Sequence, residues 1–225
     1  MDKEAVIFFI KYAEPGRVKT RLGSRIGLKR ASELYRCFVM DILSLLRSLN
    51  KDVLIFYVPD TSLEKVRGWL GTKMRYFPQK EGADLGERMA VSLESAFKLG
   101  YEKSIIIGGD LPDLSSDIIL QAFKDLNDHQ SVIGPSDDGG YYLIGFNKKD
   151  YLNKVFQGIR WSTPEVFKMT MRIFNKEKYS VSLLQKWHDI DTLEDLRNLY
   201  NNNRNKDRNG SYTMKYLDQI ASDLF

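Results

Sequence analysis

The 225-residue chain has a single cysteine, Cys37, and two histidines, His129 and His188. One cysteine excludes a disulfide framework and a cysteine-based zinc site. Its neighbours Phe38 and Val39 suggest a buried thiol unsuited to catalysis. No apolar run approaches the ~20 residues that a membrane span needs. The first such run, Ala5 to Ile10, follows Asp2, Lys3 and Glu4 and is too short for a signal peptide. The expected protein is therefore reduced, soluble and cytoplasmic. A strong charge of one sign is also missing. The formal net charge is +4, with no clustered basic face to argue for nucleic acid. There is no internal repeat, no Walker A spacing and no G-x-G-x-x-G.

What the chain does contain is a regular alternation of short apolar runs and longer amphipathic ones. Strands are expected at 5–10, 52–58, 74–78, 104–109, 131–134, 141–146 and 180–185. Helices are expected at 29–49, 62–70, 84–99, 115–127, 163–174 and 192–200. Gly100 reads as a C-cap glycine, and Ser115 or Ser116 as an N-cap. Thr192 and Asp195 have the spacing of a capping box. The run 104–109 lacks polar alternation and reads as a strand buried on both faces. Such β-α-β repetition predicts an α/β fold: a mostly parallel sheet with helices on both faces. The polar stretch 201–210 reads as a linker, and 211–225 as an amphipathic helix that packs back or reaches a partner. Oligomeric state stays open, a homodimer included.

In open α/β sheets, ligands sit beyond the carboxyl ends of the strands, and the informative residues follow the strands here. After the first strand comes "AEPGRVKTRLG" (13–23), with Pro15, Gly16, Arg17, Lys19 and Arg21, and Arg25 one turn on. A glycine- and proline-bearing loop that enters a helix can turn N–H groups toward an anion, and Lys19 and Arg21 add charge suited to a di- or triphosphate. The bland alternative, a solvated basic loop, is about as good on composition alone. "GGDLPDL" (108–114) places Asp110 at the end of the most apolar strand, where it suits Mg²⁺ or Mn²⁺ better than it suits stability; the alternative is a turn or N-cap aspartate, and the metal is preferred. Asp113 reads as a turn or cap residue.

"GPSDDGGYYLIGF" (134–146) sets Asp138 before Gly139 and Gly140, either a ligand-facing turn or a plain hairpin. "WHDIDTLEDL" (187–196) offers Asp191 as a second metal carboxylate. His188 is a metal or hydrogen-bonding candidate but, beside Trp187, reads as structural; His129 is given no role. In "QKEGADLGERM" (79–89), Gly82, Asp84 and Gly86 can approach a base or ribose. Arg88 can reach phosphate or pair with Glu87 or Asp84.

Taken together, "PGRVKTRLG", "GADLGERM", "GGDLPDL", "GPSDDGGYYLIGF", "WSTPEVF" and "DIDTLEDL" resemble the GT-A, or nucleotide-diphospho-sugar transferase, superfamily. They are most similar to a group of small bacterial and archaeal proteins usually labelled glycosyltransferases. They are also similar to 2-phospho-L-lactate guanylyltransferase and to molybdenum cofactor guanylyltransferase. The resemblance covers roughly residues 5–200, and six ordered motifs are far more specific than any one.

The resemblance implies a single Rossmann-like GT-A domain over 1–200, with a nucleotide-binding half at about 1–112 and an acceptor half at about 113–200. The polar linker and C-terminal helix would follow at 201–225. It implies that Lys19 and Arg21 contact phosphates, with Ala13, Gly16 and Arg17 in the same loop. Gly82, Asp84 and Gly86 would border the base. Asp110 and Asp191 would hold a divalent metal, Mg²⁺ or Mn²⁺. Asp138, Gly139, Gly140 and Tyr141 would line the pocket of a small-molecule acceptor. Lys11 stands where the group more often has arginine, and Ala13 where it often has proline. An Asp-x-Asp motif, frequent in glycosyltransferases of this fold, is replaced by "GDLPD", a form closer to nucleotidyltransferases.

Two chemistries follow. In nucleotidyl transfer, an acceptor attacks the α-phosphate of an NTP, and Lys19, Arg21 and the metal stabilise the leaving pyrophosphate. In glycosyl transfer from an NDP-sugar, Asp138 would act as base on an acceptor hydroxyl. Nucleotidyl transfer is slightly preferred. A third alternative is a nucleotide-binding protein without catalysis.

Overall fold

A computed structural model describes residues 3–204 and 210–224. The elements run β1 (Glu4–Lys11), α1 (Thr20–Ile26), α2 (Leu28–Ser48), β2 (Asp52–Val58), α3 (Leu63–Leu70), β3 (Arg75–Pro78), α4 (Leu85–Lys98) and β4 (Lys103–Ile107). They continue with α5 (Ser116–Asp125), β5 (Ser131–Pro135), β6 (Tyr141–Asn147), α6 (Val166–Lys176), β7 (Val181–Leu183), α7 (Leu193–Asn203) and α8 (Tyr212–Leu224). The strands form one sheet in the order β3-β2-β1-β4-β6-β5-β7. All neighbours pair in parallel except β6, which runs antiparallel to both β4 and β5. The expected mostly parallel α/β sheet is therefore the fold.

Strand alternation sorts the core into two layers. On β1, Val6, Phe8 and Ile10 face the side covered by α2, α3 and α5, where Tyr35, Val39, Ile42 and Phe123 pack. Ala5 and Ile7 face the other side, against Met89, Leu93 and Phe97 of α4 and Phe174 of α6. Both faces of β1 and β4 are buried, as a helix-covered parallel sheet requires.

A third cluster lies outside α2. There Leu34 and Phe38 meet Leu22 of α1, Ile190, Leu196 and Leu199 of the α7 region, and Met214 and Leu217 of α8. The C-terminal helix thus packs back onto α2. Its first turn is capped across the chain by Asp41, whose carboxylate accepts from Ser211 Oγ (2.9 Å), Tyr212 N (2.7 Å) and Thr213 N (2.9 Å). The expected linker at 201–210 is corrected at its start, because α7 continues through Asn203; residues 205–209 of that linker lie outside the described residues. Other boundaries shift by one to three residues: α6 opens at Val166 rather than 163, and β4 closes at Ile107 before the two glycines. Helix α1, seven residues long, is an element the sequence pattern did not separate from the loop before it. Among the described residues no helix is long and apolar enough to cross a membrane.

Strands β1, β4, β5 and β7 all point the same way, so their carboxyl ends share one edge of the sheet. The loops 12–19, 108–115, 136–140 and 184–192 leave from that edge.

Candidate active site

Lys19 is the centre of this edge. Its backbone sits in the left-handed region, φ 46° and ψ 45°, immediately before α1. A non-glycine residue adopts this conformation at some cost, and such strain concentrates at functional sites. It delivers the ammonium into a pocket where the side chain is only 3% exposed. There Lys19 Nζ lies 2.7 Å from Asp110 Oδ1 and 2.8 Å from Asp191 Oδ1. The Phe38 ring lies below, 5.7 Å from Nζ to its centroid. The two carboxylates are 45% and 46% exposed. The two opposite charges keep Lys19 charged and raise its pKa, although burial alone pulls it the other way as the largest single influence.

The carboxylates come from segments tied to each other. Ile190 N donates to the Asp110 carbonyl at 3.2 Å, and Trp187 Nε1 donates to Asp113 Oδ1 at 3.2 Å. Asp113, expected in a turn or cap, holds the 187–191 segment. Asp191 N and Thr192 N both donate to Asp195 Oδ2, and Thr192 Oγ1 accepts from Asp195 N, completing the expected capping box. The glycine before Asp110 permits a close approach. A Cβ on Gly109 would meet the Tyr35 hydroxyl at 2.9 Å, and that hydroxyl accepts from Lys11 N at 3.1 Å. Burial, reinforced by the charge of Asp110, raises the Tyr35 phenol above its usual range.

Asp189, which sequence reasoning left without a role, belongs to this group. Burial first, then the negative charge of Asp110, pushes its carboxyl up to about 7, with Lys19 opposing and Asp138 and Asp191 adding to the rise. The signal was in "DID": two acids with one apolar residue between them, of which only the second was singled out.

The acceptor-side candidates form a tight turn. Asp138 Oδ1 accepts from Gly140 N at 2.9 Å and from Ser136 Oγ. Gly139, at φ 88°, leaves no room for a Cβ against the Pro164 carbonyl, and its own carbonyl accepts from Phe167 N at 2.9 Å. The Tyr141 ring packs edge-on against Trp161, with its hydroxyl 4.0 Å from Met89 Sδ. Burial raises that phenol above its usual range.

The nucleotide-side candidates separate. Arg17 and Gly82, with Arg88, line a cavity of about 680 Å³ beyond the ends of β1 and β2, alongside Lys11, Tyr12 and Lys65. Ala13 is buried, and Gly16 is exposed at φ 80°. Arg21 is exposed near the start of α1. Asp84 is the N-cap of α4, its Oδ1 accepting from Glu87 N at 2.8 Å. Gly86 lies under Trp161, and a Cβ there would also meet the Phe156 carbonyl oxygen at 2.7 Å. Arg88 Nε donates to the Ala83 carbonyl at 3.0 Å. His188 stacks beside Trp187, and His129 Nδ1 lies 3.1 Å from the Asp125 carbonyl at the end of α5.

The donors available to a metal here are the two carboxylates of Asp110 and Asp191. Among the described residues no three His, Cys, Asp or Glu side chains converge as a ready-made cage. A half-exposed carboxylate pair instead suits Mg²⁺ or Mn²⁺, completed by phosphate oxygens and water.

Comparison with known proteins bears on the family and the fold. A crystal structure from Desulfovibrio desulfuricans G20, described as a candidate nucleotide-diphospho-sugar transferase, is 41% identical, with a TM-score of 0.94 over 99% of this chain and 96% of that one. A 2-phospho-L-lactate guanylyltransferase from Methanocaldococcus infernus is 25% identical over 207 residues, 90% of this chain and 86% of the relative. A cytidylyltransferase from Leptospira borgpetersenii shares the fold at a TM-score of 0.58 and 16% identity, covering 99% of this chain and 95% of its own. One family model matches residues 42–163, just over half of the chain. The chain belongs to that family, DUF2064, described as an uncharacterized protein conserved in bacteria, and it has the fold of the nucleotide-diphospho-sugar transferases and nucleotidyltransferases.

Proposed function

We propose that this chain is a metal-dependent nucleotidyltransferase that moves a nucleoside monophosphate from an NTP to a small acceptor. The observation that carries the reading is the buried Lys19 ammonium between Asp110 and Asp191 at the carboxyl edge of the sheet. That edge is where open α/β sheets hold ligands. The name of the archaeal guanylyltransferase relative supports the same chemistry and makes GTP the first donor to test.

In this reading the acceptor oxygen attacks the α-phosphorus, the bond to the bridging oxygen breaks, and pyrophosphate leaves with the electron pair. Lys19 and Arg21 bind the β- and γ-phosphates and balance the charge that develops on the leaving group. Asp110 and Asp191 would hold Mg²⁺ or Mn²⁺, which supplies further neutralisation of phosphate charge. Arg17, Gly82 and Arg88 place the nucleoside in the cavity they line. The turn at Asp138, Gly139 and Gly140 positions the acceptor from the opposite side.

The description of the Desulfovibrio structure favours a second reading, glycosyl transfer from an NDP-sugar. It needs a free base, and Asp138 already has one carboxylate oxygen bound to Gly140 N and Ser136 Oγ. A calorimetric binding panel with Mg²⁺, the four NTPs against their NDP-sugars, separates the two. Tight binding of one NTP and not of its NDP-sugar supports nucleotidyl transfer; the reverse preference replaces it with glycosyl transfer.

A further inference from the structure

The pair that would hold the metal already holds a cation. Lys19 Nζ is within hydrogen-bond distance of one oxygen of each carboxylate, and its side chain is nearly sealed from solvent. Asp110 and Asp191 are half exposed, so a cation from solution reaches their outer sides freely. On the inner side it meets a fixed positive charge. Mg²⁺ requires oxygens at about 2.0–2.1 Å, so it cannot share those two oxygens with an ammonium lying between them without like-charge repulsion. The strained backbone of Lys19 and its seat over the Phe38 ring hold the ammonium in that position.

We propose that Lys19 is a built-in counter-ion that occupies the place of the divalent metal on Asp110 and Asp191 until a polyphosphate draws it away. This rests on the assignment of those two carboxylates to the metal. The phosphates take up the ammonium, the carboxylates are released, and metal and nucleotide bind as mutually dependent ligands. Lys19 is thus a positioning residue in the free protein and a phosphate ligand in the loaded one. The carboxylates stay paired in the resting state and do not collect metal without substrate.

The test is Mn²⁺ binding to the nucleotide-free protein, read by calorimetry and by the electron paramagnetic resonance of free Mn²⁺. The wild-type protein is compared with Lys19→Met, which keeps the stem and removes the charge. The expected result is at least tenfold tighter Mn²⁺ binding by the variant. A lysine that merely supports the fold gives no gain on removal. Lys19→Gln, neutral but still a hydrogen-bond donor, gives the same comparison if the methionine variant does not fold. Equal Mn²⁺ affinity in wild type and variants, abolished by Asp110→Asn, overturns the counter-ion role and leaves the metal site standing. No Mn²⁺ binding by any of them, with or without GTP, overturns both.

Discussion

Ile190 N donates to the carbonyl of Asp110 at 3.2 Å, and this one backbone bond joins two segments eighty positions apart in the chain. It places Asp191, the next residue after Ile190, beside Asp110, so that both side chains reach the same ammonium. The pair exists because β1, β4 and β7 end on one edge and because Ile190 is anchored in the apolar cluster outside α2.

Asp110→Asn and Asp191→Asn are each expected to lower NTP turnover by about 10²-fold or more, the scale of losing one charge-stabilising group in a transfer site. Pyrophosphate release measures it. Unchanged turnover in either variant removes that residue from the site.

Gly86→Ala is expected to destabilise the fold by about 1–3 kcal/mol, because the added methyl meets the Phe156 carbonyl oxygen and the Trp161 ring. The carbonyl belongs to the backbone and yields little. Urea unfolding, compared at constant m-value, gives the difference; a stability equal to the parent contradicts the packing.

Asp41→Ala removes the carboxylate that accepts from Ser211 Oγ, Tyr212 N and Thr213 N, and leaves the first turn of α8 with only the local cap from Met214 N to Ser211 Oγ. A cap of this kind contributes about 0.5–2 kcal/mol. Hydrogen exchange across 211–224 is expected to accelerate while β1 and β4 stay protected. Uniform acceleration would mean that α8 is not a separately anchored element.

The same carboxylate bears on Cys37. Burial first, then the charge of Asp41, pushes the thiol up to about 11. The thiol is therefore protonated at neutral pH, and the thiolate fraction grows about tenfold per pH unit until that value is reached. Iodoacetamide labelling is expected to keep rising past about pH 10, where an ordinary thiol has nearly levelled off. Levelling near pH 10 in the folded protein contradicts it. In Asp41→Ala the rise shifts to lower pH, since a neighbouring negative charge has gone.

The sequence carried the architecture because the signals were local. Strand runs, the capping box at Thr192 and Asp195, and Asp110 beyond the buried strand β4 all depend on residues a few positions apart. The cap at Asp84 was equally local: an acid three residues before Glu87 at the head of an apolar stripe is an N-terminal signal, read instead as a ligand contact. What could not be read was long-range. Lys19 meets Asp191 across 172 positions, and no pattern near "VKTRL" announces a carboxylate partner rather than a phosphate. Tyr35 sat correctly on the apolar stripe of α2, but its hydroxyl contact with Lys11 depends on where β1 ends. Gly86 looked like room for a base because its occupant, Trp161, lies seventy-five positions on.

The most direct measurement of the central claim is anomalous diffraction from crystals grown with Mn²⁺ and a non-hydrolysable GTP analogue. The expected result is a manganese peak coordinated by one oxygen each of Asp110 and Asp191, with Lys19 Nζ moved onto the phosphates. A nucleotide bound with manganese elsewhere, and Lys19 still between the two carboxylates, would contradict it.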